Sequence, residues 1–153
     1  MKHLLQFALM TLLLFFITAC GSTTKPAQLI THLKSVNYLN PNLDNQASPV
    51  VITFYQLKSP EAFKQAAFFA LYNKPTETLG VDLLDKREVE IQPEKTIEVD
   101  QNIAVNATHI GIVAAYRDPD VAEWKQVIEI PAGDKRVRLF VNLETQRLSA
   151  KID

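Results

Sequence analysis

The first twenty residues constrain this chain more than any other stretch. Residues 1–3 are a short basic start, residues 4–17 form an almost unbroken apolar run, and Thr18-Ala19-Cys20-Gly21 follows. The apolar run is shorter than the ~20 residues that a membrane-spanning helix needs, and small residues come after it. The pattern predicts a secretory signal peptide over residues 1–19, so the fold has to be built from the chain that follows.

Cys20 is the only cysteine in the chain. In a bacterial lipoprotein signal, an apolar residue stands three positions before the cysteine, and small residues fill the two positions between them. Ile17, Thr18 and Ala19 resemble that signal at every position. The resemblance implies cleavage before Cys20, which then carries a diacylglycerol and an N-acyl group. No other cofactor is expected.

The alternative is an ordinary signal peptide whose cleavage site happens to lie beside a cysteine. A lone thiol exported to an oxidising compartment has no disulfide partner, and acylation removes that liability. Several acyl chains make the attachment durable, because one myristoyl-sized chain binds a membrane only marginally. Gly21 stands where an aspartate commonly retains lipoproteins at the inner membrane. We therefore expect the inner leaflet of the outer membrane, with the domain facing the periplasm.

The chain after the signal peptide suits one domain with a single core. Residues 20–26 are the acylated cysteine and a small, polar stretch that ends in proline, which predicts a flexible tether. Residues 27–153 are long enough for one β-sandwich domain. The formal net charge of the whole chain is -1. No block of like charge occurs, so neither nucleic-acid binding nor a polybasic membrane stripe is expected.

Apolar patterning predicts a mainly β domain. Residues 27–36 alternate as a half-buried strand does, and residues 50–57 are apolar on both faces, as in a central or helix-covered strand. Ser59 as a hydroxyl cap and Pro60 at the first helical position predict the start of a helix that Pro75 ends. About eight strands with turns at short intervals, and one short helical insertion after the second strand, predict a two-sheet β-sandwich.

The remaining strands are predicted in the second half of the chain. Residues 76–85 predict a short helix or an irregular segment. Two alternating runs, residues 89–91 and 97–99, lie on either side of Pro93-Glu94-Lys95 and predict a hairpin. Small apolar residues on both faces of residues 109–116 predict an interior strand. The last three strands are predicted at residues 124–130, 137–143 and 148–152.

The longest predicted loop covers residues 37–48, which are rich in turn-forming residues yet include three large apolar side chains. Long loops in compact domains are commonly functional, and one that shows apolar side chains to water is a candidate docking surface. Alternatively, Leu39 and Leu43 are buried at the edge of the core. The candidate partner-binding residues are Asn37, Tyr38, Leu39, Asn40, Pro41, Asn42, Leu43, Asp44 and Asn45.

No group of residues in the sequence predicts catalysis or metal binding. The two histidines after the signal peptide, His32 and His109, each stand alone in a predicted strand, and neither a serine elbow nor a phosphate-binding glycine loop occurs. Asp118 and Asp120 flank a proline in a turn that offers too few oxygen ligands for calcium. We therefore expect neither an enzyme nor a metal site.

Two other features of the sequence are candidate sites. Arg136 and Arg138 share one strand face after Lys135. That face is either solvated, with basic residues that discourage edge pairing, or a surface for an acidic partner. Trp124 is expected to be a core residue whose indole N–H finds an acceptor.

Short motifs follow one another in a characteristic order along the mature chain. They are Leu39-Asn40-Pro41, Ser48-Pro49-Val50-Val51, Tyr55-Gln56-Leu57, Phe63, Phe68-Phe69-Ala70-Leu71-Tyr72, Leu79-Gly80, Gly111-Ile112-Val113-Ala114-Ala115-Tyr116-Arg117 and Trp124. In this order, behind a lipoprotein signal, they resemble the outer-membrane lipoprotein family of the type VI secretion system, called TssJ or SciN. The chain departs from the family at Pro93-Glu94, where proline-glycine is common.

The resemblance implies a transthyretin-like sandwich and a structural role. In that family the lipoprotein tethers the periplasmic domain of the inner-membrane protein TssM to the outer membrane, within the complex that anchors a contractile tail. The loop between the first two strands contributes to TssM binding, and here it is residues 37–48. Other membrane-complex subunits are expected partners, whereas nucleic acid and small-molecule substrates are not. The alternatives are a periplasmic carrier with a small apolar ligand inside the sandwich, or an enzyme with a cleft of titratable groups.

Replacing Cys20 with serine tests the anchor. Cys20→Ser removes the sulfur that is acylated, so we expect the protein to move from the membrane fraction to the soluble periplasm and secretion to be lost. Cell fractionation and a secretion assay measure the two effects. Normal secretion by this variant would contradict an anchoring role.

Overall fold

The computed structural model describes residues 27–153, and the predicted signal peptide and tether lie outside them. Within this part no helix is long and apolar enough to cross a membrane. Its helices are α1 (Glu61–Gln65), α2 (Phe68–Asn73), α3 (Pro75–Leu79) and one 3-10 helix (Gly80–Asp82). Its strands are β1 (Gln28–Ser35), β2 (Val50–Leu57), β3 (Leu83–Ile91), β4 (Thr96–Asn102), β5 (His109–Ala114), β6 (Lys125–Glu129), β7 (Arg136–Leu143) and β8 (Leu148–Ile152).

The strands form two four-stranded sheets. The first sheet has the order β4-β1-β7-β8, and the second has the order β3-β2-β5-β6. β1 pairs in parallel with β7, and the other pairings among these strands are antiparallel. The predicted two-sheet β-sandwich, with a helical insertion after the second strand, is confirmed.

The space between the sheets is filled by the inward-facing side chains of both. In β1, Leu29, Thr31 and Leu33 are buried, as the alternation predicts. Each fully buried aliphatic or aromatic side chain stabilises the fold by about 1.5–3 kcal/mol relative to exposure. The other fully or almost fully buried members of this core include Val50, Ile52, Phe54, Ile91, Ile110, Ile112, Val137, Leu139, Val141, Leu143 and Leu148.

The helical insertion covers the outer face of the second sheet. The hydroxyl of Tyr55 on that face donates a 3.0 Å hydrogen bond to the carbonyl of Leu71. Burial raises the pKa of Tyr55 to about 12, so the hydroxyl keeps the proton that it donates. The insertion and the sheet share a second apolar cluster, formed by Tyr55, Leu57, Phe63, Phe68, Leu71, Leu79 and Val113.

The insertion is not the single helix that the apolar spacing predicts. The backbone is extended at Ala66 and Ala67, with ψ of 140° and 161°, which separates α1 from α2. Nζ of Lys125 in β6 donates to the carbonyls of Phe63, Lys64 and Ala66 at 3.3, 2.9 and 2.8 Å. The Lys125 side chain from β6 therefore binds carbonyls that would accept backbone N–H groups in a continuous helix.

The ends of these helices also differ from the prediction. Pro60 occupies the N-cap position of α1, and the Ser59 hydroxyl donates to the carboxylate of Glu61 instead of capping the backbone. Pro75 follows the end of α2, as predicted, but it also begins α3. The segment at residues 76–85 contains most of α3, the 3-10 helix and the start of β3.

The predicted hairpin around Pro93-Glu94-Lys95 is wrong. β3 pairs with β2 in the second sheet and β4 pairs with β1 in the first, so this turn crosses between the sheets. The end of β1 fixes the crossing, because the Ser35 hydroxyl donates to the carbonyl of Gln92 at 2.7 Å. The N–H of Glu94 also donates to the carbonyl of Val36 at 3.0 Å. The two strands that flank this turn therefore do not pair with each other, because β3 pairs with β2 and β4 pairs with β1.

The strands run between two ends of the sandwich. β1 joins them and, with 8 residues, is about 26 Å long at ~3.3 Å per residue. The loop end carries the β1–β2 loop (residues 36–49), the β3–β4 turn (residues 92–95), the β5–β6 loop (residues 115–124) and the β7–β8 turn (residues 144–147). The anchor end carries Ala27, the β4–β5 loop (residues 103–108), the β6–β7 turn (residues 130–135) and the two ends of the helical insertion (residues 58–82).

Gly111 in β5 leaves room for the helical insertion. A Cβ at this position would lie 2.6 Å from Cε2 of Phe63, whose side chain is fully buried. We expect Gly111→Ala to lower the free energy of unfolding by about 1–3 kcal/mol, the usual cost of overpacking. Urea denaturation measures it.

A double-mutant cycle separates this contact from a general effect of alanine in the strand. Phe63→Leu removes the ring that approaches position 111, so Gly111→Ala should cost less in that background. Equal costs in the two backgrounds would show that the contact with Phe63 is not the cause.

Candidate functional site

The β1–β2 loop is fixed to the body of the sandwich by Leu39. This side chain is fully buried and belongs to the core between the sheets. Its carbonyl accepts a 2.9 Å hydrogen bond from the N–H of Ser48, which lies near the other end of the loop. The loop is therefore closed at its base by a buried side chain and a backbone hydrogen bond.

Asn40 joins three of the connections at the loop end, the β1–β2 loop, the β5–β6 loop and the β7–β8 turn. Its φ is +45°, in the left-handed region that asparagine adopts more readily than most residues. Its Nδ2 donates to the carbonyl of Pro49 at 3.0 Å, and its Oδ1 accepts from the N–H of Arg117 at 2.8 Å. Its backbone N–H donates to the carbonyl of Thr145 at 3.0 Å. The buried side-chain amide is thus satisfied on both sides, and Asn40 as a whole connects the β1–β2 loop to the β5–β6 loop through its side chain and to the β7–β8 turn through its backbone.

Asn42 shapes the outer half of the loop. Its Oδ1 accepts hydrogen bonds from the N–H groups of Asp44 and Gln46, both at 2.9 Å. Its own N–H donates to the carbonyl of Gln46 at 2.8 Å. The Tyr38 hydroxyl donates to Oδ1 of Asn45 at 3.3 Å. Such side-chain bonds to nearby backbone are typical of asparagine turns, and they give the tip of the loop a defined shape.

The loop separates its two leucines. Leu39 is buried, whereas Leu43 is 94% exposed. Burial at the edge of the core, which one interpretation of the sequence expects for both leucines, therefore holds for Leu39 only, and Leu43 is exposed to water. The structure brings the nine candidate residues 37–45 together on one loop, in which Leu39 and Asn40 are buried and the others are partly or fully exposed. A large apolar side chain on a fixed loop is a candidate anchor for a partner.

The neighbouring loops are held by their own contacts. The Tyr116 hydroxyl donates to the carbonyls of Glu144 and Arg147 at 3.1 and 2.7 Å, and burial raises the pKa of this tyrosine. Nε and Nη2 of Arg147 bind the carboxylate of Glu123 at 3.0 and 2.9 Å. These three connections therefore form one continuous surface with charges of both signs.

Each of the two histidines contacts neighbouring side chains of the fold. Nδ1 of His32 lies 3.2 Å from Oε2 of Glu98, and its ring stacks on Phe140 with 4.9 Å between centroids. Nδ1 of His109 lies 2.8 Å from Oγ1 of Thr108. No group of three or more side chains of metal-ligating type comes together among residues 27–153.

The other residues singled out in the sequence also occupy ordinary positions. Oδ1 of Asp118 accepts a 3.3 Å hydrogen bond from the N–H of Asp120, which is the expected turn bonding. Arg136 and Arg138 are exposed at the start of β7. Trp124 is partly buried and packs against both apolar clusters.

An aromatic cluster on the helical insertion was missed by sequence reasoning. The ring of Phe68 lies edge to face against Trp124 and Phe69, both at 5.2 Å, and stacks on Tyr72 at 5.4 Å. Phe69 is 63% exposed and Tyr72 is 47% exposed. The signal was present in Phe68-Phe69-Ala70-Leu71-Tyr72, which has more aromatic residues than one buried helix face needs.

The depressions on the described surface do not resemble the enclosed apolar cavity of a carrier. One of about 410 Å³ opens at the edge formed by β3 and β4. It is lined by Gln28, Asp85, Arg87, Asp100, Gln101 and Asn102, all of them polar. Core side chains of residues 27–153 fill the space between the sheets, where a carrier of this fold would need its cavity.

Comparison with known families identifies the domain. The family model described as type VI secretion lipoprotein, VasD, EvfM, TssJ matches residues 27–146. No curated protein sequence matches the chain significantly. The matched range covers most of the chain, including every strand except β8.

Three solved structures have the same fold. The type VI secretion lipoprotein TssJ1 from Pseudomonas aeruginosa is 31% identical, covers 84% of this chain and 98% of its own, and has a TM-score of 0.79. Serratia marcescens Lip, a membrane-bound component of the type VI secretion system, is 22% identical over 82% of this chain and 98% of its own, with a TM-score of 0.77. A chain in a structure described as the type VI protein TssM C-terminal domain (869-1107) from EAEC is 20% identical over 81% of this chain and 97% of its own, with a TM-score of 0.66.

The last two likenesses support the fold alone, whereas the family model and the first structure also establish kinship. The resemblance seen in the order of the sequence motifs is therefore confirmed. Members of this family are structural lipoproteins of the secretion system and not enzymes. The chain belongs to the type VI secretion lipoprotein family that includes TssJ.

Proposed function

We propose that this protein is a structural subunit of the type VI membrane complex and links the outer membrane to the periplasmic domain of TssM. In this proposal residues 1–19 are removed, and the acylated Cys20 holds the chain in the inner leaflet of the outer membrane. Residues 20–26 give reach, and the domain at residues 27–153 presents residues 37–45 to TssM. The single observation that carries the proposal is the fixed β1–β2 loop with an almost fully exposed leucine.

The positions of the two ends of the sandwich support membrane attachment at one end and partner binding at the other. The chain enters the domain at Ala27, at the anchor end, and the candidate loop follows β1 at the opposite end. The length of β1 separates them by about 26 Å at ~3.3 Å per residue. A domain attached to the membrane through its N-terminal side can therefore present the loop away from the lipid surface.

The likeness to a chain in the TssM structure supports the choice of partner. This 153-residue protein covers 97% of that chain, so the chain is too short to be the whole segment 869-1107 named for TssM. A TssJ-like chain that accompanies a TssM segment is what a complex between the two would contain.

The contacts inside the loop suit a docking role for a physical reason. A flexible loop loses conformational entropy when it binds, and a loop already held by Leu39, Asn40 and Asn42 loses less. Apolar side chains that insert into a partner commonly dominate the affinity, and Leu43 is placed to do so. Confinement of both partners between two membranes also raises their effective concentration, so a modest interface can support a durable assembly.

The exposed leucine can be tested against a matched surface position. Leu43→Ser should weaken binding to the purified periplasmic domain of TssM by at least about tenfold, because burial of a leucine contributes about 1.5–3 kcal/mol and 1.4 kcal/mol corresponds to a factor of ten. Calorimetric titration measures the affinity. Val81→Ser removes a valine that is 86% exposed on the helical insertion and should leave the affinity unchanged. Equal affinities for the two variants would exclude Leu43 from the interface.

Asn40 tests whether the shape of the loop matters apart from its contacts. Asn40→Ala leaves the Pro49 carbonyl and the Arg117 N–H without their partner, so we expect the free energy of unfolding to fall by about 1–3 kcal/mol. Binding to TssM should weaken as well, although Asn40 is buried. Asn37→Ala, at an exposed position of the same loop, should affect stability little. If Asn40→Ala bound TssM as tightly as the unchanged protein, preorganisation of the loop would have no part in recognition.

A further inference from the structure

The chain emerges from the anchor end between two turns. The carbonyl of Ala27 accepts a 2.7 Å hydrogen bond from the N–H of Ile103, at the start of the β4–β5 loop. The N–H of Gln28 donates to the carbonyl of Lys135, in the β6–β7 turn, at 2.9 Å. These bonds hold the point of emergence beside both turns, so whatever lies next to the preceding chain also lies next to them.

The tips of these turns are apolar and exposed. Val105 is 82% exposed and stands next to Asn106, whose φ of +69° marks the bend of its loop. Pro131 and Ala132 are exposed at the tip of the other turn. Between the turns lies an open depression of about 300 Å³, with Ala27, Ile103, Ala107 and Ile130 among its lining residues.

Charge does not distinguish this end of the domain. Lys135 and Arg136 are basic, and Glu129 and Asp134 beside them are acidic. An attraction to an anionic surface would need an excess of basic residues. The anchor end is therefore distinguished by the apolar side chains at the tips of its two turns and not by a net charge.

The inference rests on the proposed acylation of Cys20. Cys20 stands seven positions before Ala27. A fully extended chain of seven residues spans at most about 25 Å, so the anchor end cannot lie farther than that from the lipidated sulfur. Tethering over so short a distance makes the local concentration of lipid high, and weak apolar contacts are then enough to orient the domain.

We propose that the anchor end is a membrane-contacting surface, on which Val105 and the turn at residues 131–133 insert at the boundary between the headgroups and the acyl chains of the leaflet that carries the lipid anchor. The contact is apolar and does not require anionic lipid. This contact points the long axis of the sandwich from the membrane into the periplasm, and it holds the loop end at a distance from the lipid.

Site-specific fluorescence on the complete lipidated protein tests this surface. Because the acylated Cys20 has no free thiol, a cysteine introduced elsewhere is the single labelling site. Val105→Cys and Ala132→Cys are labelled with an environment-sensitive fluorophore, and Leu43→Cys at the loop end is the matched exposed control. The proteins are reconstituted in vesicles of phosphatidylcholine, or of an equimolar mixture with phosphatidylglycerol.

We expect the labels at positions 105 and 132 to emit at shorter wavelength on vesicles than at position 43. Nitroxide-bearing phospholipids should quench them, and they should behave alike in both vesicle types. Three results would overturn the inference: identical behaviour of all three labels, a shifted but unquenched emission, which would mean that residues 21–26 cover the surface instead of lipid, or a contact seen only with phosphatidylglycerol.

Flotation of the vesicles reports separately on the anchor. A protein that floats with the vesicles but shows no difference among the three labels is anchored without resting on the membrane, so only this inference fails. A protein that does not float lacks the lipid attachment, in which case the proposed function itself fails.

Discussion

Apolar contact between two sheets is the constraint on which the described domain depends. Residues 27–153 contain no cysteine, so no disulfide can join the sheets, and the buried rows of β1, β2, β5 and β7 must hold them together. The same constraint explains the crossing after β3. Ile91 of β3 and Val99 of β4 both face the core, each from its own sheet, and a hairpin would have put both strands in one layer.

The loop end extends this core into a surface suited to recognition. Leu39 continues the apolar interior into the β1–β2 loop, and the buried amide of Asn40 then bonds the Pro49 carbonyl across the loop and the Arg117 N–H of the neighbouring β5–β6 loop. The exposed residues that follow in the loop are held in position by Leu39 and Asn40. Core packing and partner recognition are therefore connected through two adjacent residues with opposite chemistry.

Much of this architecture could be predicted from the sequence because it depends on local periodicity. The alternation in β1 and β7 and the apolar run of β2 each identify a strand and its buried face without knowledge of the rest of the chain. The family could be predicted as well, from the order of its motifs behind the lipoprotein signal.

The predictions from the sequence were wrong where residues distant in the chain determine a local structure. At the break between α1 and α2, three carbonyls accept hydrogen bonds from the ammonium of Lys125, which lies about 60 residues along the chain in β6. The turn at Pro93-Glu94-Lys95 has the composition of a hairpin turn, but the partners of its flanking strands are β1 and β2. In the candidate loop, composition could not tell which leucine is buried, since that depends on the core into which Leu39 fits.

The central position of β1 has a mechanical consequence. This strand is paired along its length with β4 on one side and β7 on the other. In the proposed assembly the lipid tether joins the N-terminal end of β1 and the partner-binding loop follows its C-terminal end, so tension between membrane and partner runs along the backbone of one strand. That strand lies inside its sheet, with the edges formed by β4 and β8, so the pull is not directed at peeling a strand from the rim.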